Sequence, residues 1–312
     1  MKIYITGGTG FIGSYVVKTL SGNKHDITVL ARKASKVPAL AKLPGVKIVN
    51  AAMGDMAALK RAIKKPDALI HVALCWGDTG PEMIKNETLA SVGIIETAIN
   101  AGAKKVIFTS STAAQGGITR TVDESAKPDP SDFYGATKAS TEMFMSAYSR
   151  YYKNVQLNTI RPGYTFGNPV VPGGSMENDR RFFNICLNAL EGRPIEVIKH
   201  DGTQFIWAGH LAEVYVEVLA SRKSNETYYG LSKNFITWEQ IAKWAVEAAK
   251  PFRGGKPESR IVLKDLGWGD KPSLFDVGKI KKSFGLSFNS TKLVKEHVEF
   301  LAANPGVIPR KR

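Results

Sequence analysis

The residue types suited to proton chemistry gather in a serine pair, a tyrosine and a lysine. Tyr134 and Lys138 stand four apart in Tyr134-Gly-Ala-Thr-Lys138, downstream of Thr109-Ser110-Ser111-Thr112. On a helix, positions i and i+4 share a face, so the Lys138 ammonium can stand near the Tyr134 phenol. A neighbouring cation favours the phenolate and lowers its pKa toward the working range. A serine hydroxyl opposite would hydrogen-bond a substrate oxygen and steady the charge that develops there. Together these groups form the acid–base centre that hydride transfer to or from a carbonyl requires. A tyrosine and a lysine at this spacing are common by themselves. Their order, after a strand-end Ser-Ser and a glycine turn, is what makes them informative.

The elements that must hold these groups can be read around them. Pro128, Asp129 and Pro130 break the chain, so Tyr134 starts a helix running through Ala139, Met143, Phe144 and Ala147. Lys105 to Ser110 reads as the strand that ends at the serines. At the N-terminus, the run Ile3 to Thr6 stops at Gly7, and glycines recur at Gly10 and Gly13. Tyr15, Val16, Val17 and Leu20 then give a helical stripe as far as Ser21 and Gly22. Strand, glycine turn and helix are the context of a dinucleotide fingerprint. Gly7 allows a tight turn, Gly10 lets backbone approach a pyrophosphate, and Gly13 lets the helix lie close to the strand. Phe11 and Ile12 complete the turn, and the phosphates would sit at the helix N-terminus, where unpaired N–H groups favour anions.

Asp26 to Ala31 reads as a second strand, and the residue after it reaches the adenosine ribose. An acid there would accept from the 2′-hydroxyl of NAD, whereas a basic residue accommodates the 2′-phosphate of NADP. This chain has Arg32 and Lys33 and no acid, so NADP(H) is favoured, with NAD as the alternative. Val46 to Asn50 gives a third strand, Ala57 to Lys64 a helix and Asp67 to Leu74 a fourth strand. The loop Cys75 to Glu82 follows, then a helix over Glu87 to Ala101 that ends at Gly102. Strands alternating with helices at this spacing predict an α/β fold with a doubly wound, mostly parallel sheet.

Composition narrows the class. The chain has 312 residues, enough for one large α/β domain or a domain with an appendage. No apolar run reaches membrane-spanning length, and the first residues begin a strand with no signal-peptide core. Cys75 and Cys186 lie in apolar contexts without CxxC spacing, which fits buried thiols in a reducing cytoplasm and supports neither a disulfide framework nor a metal site. The formal charge is +15, but the cations are spread along the chain; the densest groups are Lys279 to Lys282 and Arg310-Lys311-Arg312. A solvated basic face that attracts anionic ligands is the better reading than a nucleic-acid platform.

With these pieces in place, the chain resembles the extended short-chain dehydrogenases/reductases, which include nucleotide-sugar epimerases and dehydratases and dihydroflavonol-reductase-like enzymes. The matching segments are Thr6 to Gly13, Gly54-Asp55, Asp67 to Ala73, Val106 to Thr112, Tyr134 to Lys138, Ile160 to Pro169 and Asp201 to Val214. The resemblance implies a Rossmann domain over 1–167, with later segments at about 195–225 rejoining it, and a smaller, interleaved substrate domain over 168–312. It implies Tyr134 as catalytic acid/base and Lys138 as its partner, which also holds the nicotinamide ribose. Ser111 best matches the catalytic serine, with Ser110 as the fallback. Asp55 and Met56 would flank the adenine, Ala73 would line the cofactor cleft, and Pro162 would contact the nicotinamide end. It further implies a homodimer through the helices at Glu87 to Ala101 and Ala136 to Tyr151.

Some positions depart from that pattern. Relatives that bind nucleotide sugars carry an arginine where this chain has Ile206, which has neither donor nor charge for a diphosphate. Tyr164 stands where they carry asparagine, and Gln115 where tyrosine is frequent. Arg180, Arg181, His200 or His210 could supply compensating contacts. Farther on, helices are expected over Asp179 to Glu191, Leu211 to Ala220, Trp238 to Lys250, Asp276 to Gly285 and Ser290 to Asn304. Ile195 to Ile198 is expected as a strand rejoining the main sheet, and 251–272 as a connector. Trp76, Phe133, Tyr164 and Trp207 are candidates to line an apolar substrate cleft. The expected activity is hydride transfer at a hydroxyl or carbonyl carbon of a small or sugar-type substrate, by a reductase or by an epimerase or dehydratase. The alternative from another class is a non-catalytic NADP-binding regulator with a basic RNA- or partner-binding surface.

Overall fold

Seven parallel strands carry the molecule, and the glycine turn, Ala73, Ser110, Ser111 and Pro162 lie at their C-terminal ends. The computed structural model describes residues 1–33, 37–176 and 180–308. In chain order, β1 (Lys2–Thr6), α1 (Phe11–Ser21), β2 (Asp26–Ala31), β3 (Val46–Asn50), α2 (Met56–Ala62) and β4 (Ala68–His71) form the first half of the sheet. A helical stretch then runs from α3 (Gly80–Met83) through a π-helical turn (Ile84–Leu89) into α4 (Ala90–Asn100). β5 (Lys105–Thr109), α5 (Phe133–Tyr151) and β6 (Gln156–Pro162) follow, then β7 (Thr165–Phe166), α6 (Arg180–Glu191), β8 (Ile195–Ile198), β9 (Gly202–Thr203) and β10 (Ile206–Trp207). The chain ends through α7 (Ala208–Ala220), β11 (Glu226–Gly230), β12 (Ile236–Thr237), α8 (Trp238–Ala249), β13 (Ile261–Lys264), α9 (Gly278–Phe284) and α10 (Thr291–Ala303).

The main sheet has the order β11-β6-β5-β4-β1-β2-β3, with every neighbouring pair parallel. Strand order reverses between β1 and β4, which opens a crevice above the two strand ends. Burial explains the strands. Ile3, Ile5, Ile27, Val29, Ile70 and Ile107 turn to one face and pack on Val16, Val17 and Leu20 of α1 and Leu211 and Val214 of α7. Tyr4, Leu30, Leu69, Val106 and Phe108 turn to the other and meet Ile94, Ile95 and Ala98 of α4 and Met145 of α5. A third cluster, built from Phe166, Phe182, Phe205, Trp238 and the apolar faces of α6, α8 and α10, forms a separate core for the later residues.

Three expectations need correction. Ile195–Ile198 does not rejoin the main sheet; it pairs in parallel with Ile261–Lys264, because Ile195 and Val197 belong to the third core, with Ile241 and Ala245 of α8. The strand that returns to the main sheet is β11, whose Tyr228 and Tyr229 are fully buried beside β6. The segment 251–272 is thus not wholly a connector, since β13 lies inside it. Helix also begins earlier than Glu87. The Thr79 hydroxyl accepts from the Glu82 N–H, and Pro81 occupies the first turn, where its missing N–H costs nothing. Asp179, expected to open α6, lies outside the described residues, as do Arg310, Lys311 and Arg312.

Candidate active site

The glycine turn is shaped by close approach. Gly7 has φ +69°, and a Cβ there would lie 2.6 Å from the Ala73 nitrogen. A Cβ on Gly13 would lie 2.2 Å from the Gly7 carbonyl oxygen, so the helix and the turn are in backbone contact. The Gly10 N–H donates to the Gly7 carbonyl at 2.8 Å, and a Cβ on Gly10 would meet only that oxygen, at 3.1 Å. No side chain caps the start of α1. Its first N–H groups, at Phe11, Ile12 and Gly13, therefore face the crevice with the helix dipole behind them. Such a cradle fits a pyrophosphate, since backbone donors converge on it without a Cβ in the way.

The other candidates lie along the same edge. Ala73, just past β4, abuts Gly7 and donates its N–H to the Thr6 hydroxyl at 3.3 Å. Arg32 and Lys33 are exposed immediately after β2. Asp55 caps α2, accepting from the Ala58 N–H at 2.9 Å, and the Met56 thioether lies against Gly93 of α4. Pro162 is the buried last residue of β6. Ser110 is buried and its hydroxyl has no protein hydrogen-bond partner, whereas Ser111 accepts from the Ala113 N–H at 3.1 Å. The Ser111 turn packs on the start of α5, where a Cβ at Gly135 would meet the Ala113 carbonyl at 2.2 Å.

Asp132 caps α5, accepting from the Gly135 N–H, and so sets Tyr134 and Lys138 one turn apart on the face toward the sheet. Lys138 Nζ lies 5.6 Å from the centre of the Tyr134 ring and 5.2 Å from that of Phe108. Sequence reasoning missed what holds it. Lys138 Nζ donates to the Glu87 carboxylate at 2.7 Å and to the Thr109 carbonyl at 3.2 Å. The other Glu87 oxygen accepts from the Cys75 N–H at 2.9 Å. The signal was present: Glu87 and Ser91 fall on the stripe of Ile94, Ile95 and Ala98, so a carboxylate sits on a buried face. His71 lies next to this pair, bonded to Thr6 and Ser91. Burial, and then the Lys138 charge, push its pKa down to about 3, so it is neutral.

The four aromatic candidates do not share one cleft. Trp76 stacks on Tyr134 with ring centres 6.0 Å apart and is 60% exposed; Phe133 is 59% exposed beside Gly80. Tyr164 sits among Phe182, Phe205 and Trp238 in the third core, and Trp207 packs between Tyr15 and His210. His210 is half-buried and stacks on Phe288, its Nδ1 has no protein hydrogen-bond partner, and burial lowers its pKa. His200 sits at the β8–β9 turn with φ +66°. Arg180 is exposed, and Arg181 lies over the rings of Trp238, at 4.5 Å, and Tyr164, at 5.4 Å. Ile206 is fully buried in β10. Gln115 accepts from the Tyr229 phenol and donates to the carbonyls of Asp123 and Ala126, a structural tie beneath the site. Among the described residues, no group of three or more His, Cys, Asp or Glu side chains could hold a metal, and no helix is long and apolar enough to cross a membrane.

This sheet order and glycine turn are those of a Rossmann-type dinucleotide-binding fold, and comparison with known proteins gives it a family. The chain belongs to the NAD dependent epimerase/dehydratase family, whose profile matches residues 3–229. A chloroplast stem-loop binding protein of 41 kDa (form b) from Arabidopsis thaliana is 28% identical over 91% of this chain and 69% of its own length. The dTDP-glucose 4,6-dehydratase of Shigella flexneri is 26% identical over 97% of this chain and 93% of its own. Among solved structures, UDP-glucuronic acid 4-epimerase from Bacillus cereus in complex with NAD superimposes with a TM-score of 0.79. It covers 99% of this chain and 100% of that one at 17% identity.

Proposed function

We propose that this chain transfers hydride between a bound nicotinamide dinucleotide and a substrate carbon bearing a hydroxyl or carbonyl, with Tyr134 moving the proton. The observation that carries this reading is the placement of Tyr134 and Lys138 one turn apart on α5, packed against the Ser111 turn at the strand-end edge that also bears the glycine cradle. The cofactor, when bound, supplies the hydride acceptor or donor at its nicotinamide ring. Gly7, Gly10, Phe11, Ile12 and Gly13 would hold its pyrophosphate, Asp55 and Met56 its adenine end, and Ala73 and Pro162 the cleft walls. Lys138 has three N–H donors; two are engaged by Glu87 and Thr109, and the third is available to a ribose hydroxyl. Ser111 would bind the substrate oxygen and Tyr134 would give it a proton, or take one, as charge develops.

NADP(H) is the favoured form, because Arg32 and Lys33 are exposed at the end of β2 and no acid follows it. A buried Ile206 offers a diphosphate nothing, which favours a smaller carbonyl substrate over a nucleotide sugar. A homodimer is supported by exposed Ile84, Leu89, Met143, Phe144 and Tyr151 on the paired helical stretches. A second reading, an RNA-binding protein of this fold, draws on the +15 charge and on the stem-loop binding relative. To test the first, carbonyls and nucleotide sugars are screened with NADP(H) and NAD(H), products being identified by mass spectrometry. Net cofactor consumption marks a reductase; isomerised or dehydrated product without it marks an epimerase or dehydratase. Salt-sensitive stem-loop binding with no turnover of any substrate would favour the second.

A further inference from the structure

The Lys138–Glu87 pair is more than the tyrosine–lysine chemistry needs. Both side chains are out of solvent, 3% and 0% exposed, and burying two ions carries a desolvation cost that only close geometry and further hydrogen bonds offset. Here they do: Glu87 spends one oxygen on Lys138 and the other on the Cys75 N–H, while Lys138 also holds the Thr109 carbonyl. Glu87 is carried by the π-helical turn Ile84–Leu89, a rare conformation that frequently marks functional sites. Neighbouring residues lash the same loop to the same helix. Asn86 donates to the Trp76 carbonyl, and the Gly77 and Asp78 N–H groups reach Met83 and Glu82. The loop so fixed carries Trp76, which stacks on Tyr134. With His71 neutral, the charges behind Tyr134 are one cation and one anion, and they cancel.

We propose that Glu87 positions Lys138 and sets the charge of this pocket to zero, so that a cationic, oxidised nicotinamide is bound as readily as the neutral, reduced one. An unpaired Lys138 would repel the oxidised ring. At the effective dielectric of about 20 found in protein sites, that repulsion is on the order of tenfold in affinity. A site that passes through both redox states in one cycle avoids that imbalance by carrying the acid. The inference rests on the cofactor reading above, and its test separates the two.

Oxidised and reduced cofactor are titrated into wild type, Glu87→Gln, Glu87→Asp and the double variant Glu87→Gln/Lys138→Gln, and the ratio of the two dissociation constants is taken for each. Glu87→Gln is expected to shift the ratio about tenfold toward the reduced form, with Glu87→Asp near wild type because the charge remains. The double variant, neutral like the native pair, is expected to keep the wild-type ratio. An unchanged ratio in Glu87→Gln overturns the inference, however far both affinities or the melting temperature fall, since a purely structural role weakens both forms alike. Should Glu87→Gln not fold, a tenfold shift in the double variant overturns it and an unchanged ratio supports it. A wild-type chain that binds neither form brings down the cofactor reading itself, and the inference with it.

Discussion

Adding one methyl group at Gly13 tests whether the glycine turn is built by contact. A Cβ there lies 2.2 Å from the Gly7 carbonyl oxygen, 2.7 Å from its carbon and 2.8 Å from the Gly8 Cα. These are backbone atoms, and the shortest gap is more than an ångström below ordinary contact. No rotamer can relieve it, so α1 must move off the turn. Overpacking of this kind costs about 1–3 kcal/mol, and a rigid backbone neighbour places Gly13→Ala at about 3 kcal/mol. For a chain of this size that lowers the melting temperature by roughly 5 °C. Gly10→Ala is the control: its Cβ meets a single atom at 3.1 Å, so stability should change by less than about 1 kcal/mol, while a methyl in the cradle weakens dinucleotide binding. Thermal unfolding and cofactor titration of both variants measure this. A Gly13→Ala protein that melts with the wild type, or a Gly10→Ala protein that loses stability but not cofactor, would refute the contact argument.

Further outcomes follow from buried charge. Arg161 of β6 pairs with Glu142 of α5 through two hydrogen bonds, at 2.9 and 2.6 Å, with both side chains nearly out of solvent. Glu142→Gln should cost about 3–5 kcal/mol in chemical unfolding by stranding the guanidinium, and an apolar replacement of both residues should restore much of that. His71 is neutral in the folded chain, with a pKa near 3 against an ordinary 6.5. Its contribution is therefore complete above pH 6.5 and is lost as pH falls toward 3, by about 2 kcal/mol between pH 6.5 and 5. His71→Asn should flatten that part of the stability–pH curve, and the wild-type His71 ring should show no protonation by NMR at pH 5. Arg32→Ala should weaken NADP binding roughly tenfold and leave NAD unchanged, as loss of one charge-assisted contact to the 2′-phosphate requires.

The parts of the fold visible in the sequence are those set by local pattern. β1, β2 and β5 announce themselves because strands buried on both faces are short, largely apolar runs between turn residues. The Tyr134–Lys138 pair and the glycine turn are legible because each is a spacing within one local stretch of chain. What was not legible depends on partners far away in the chain. Ile195–Ile198 has the same look as a central strand, and only Ile261–Lys264 and α8 decide which sheet it joins. Glu226–Gly230 is masked by its charged approach and by tyrosines that could equally lie on a surface. The helix start at Gly80 was obscured because glycine and proline suggest a loop, although Thr79 and Pro81 are helix-opening residues. Glu87 shares the helical stripe of Ile94, Ile95 and Ala98, but its partner Lys138 lies fifty-one positions on, and only the fold brings the two together.

The phenol of Tyr134 is the group on which the proposed hydride transfer most directly depends. Once a turned-over substrate is in hand, the measurement is the single-turnover rate of hydride transfer, followed by nicotinamide absorbance, in wild type and Tyr134→Phe at saturating cofactor. Loss of the proton donor should slow that step by about 10²–10⁴-fold while cofactor affinity stays within a few-fold. Equal rates in the two proteins would contradict the assignment of Tyr134 as the acid–base group.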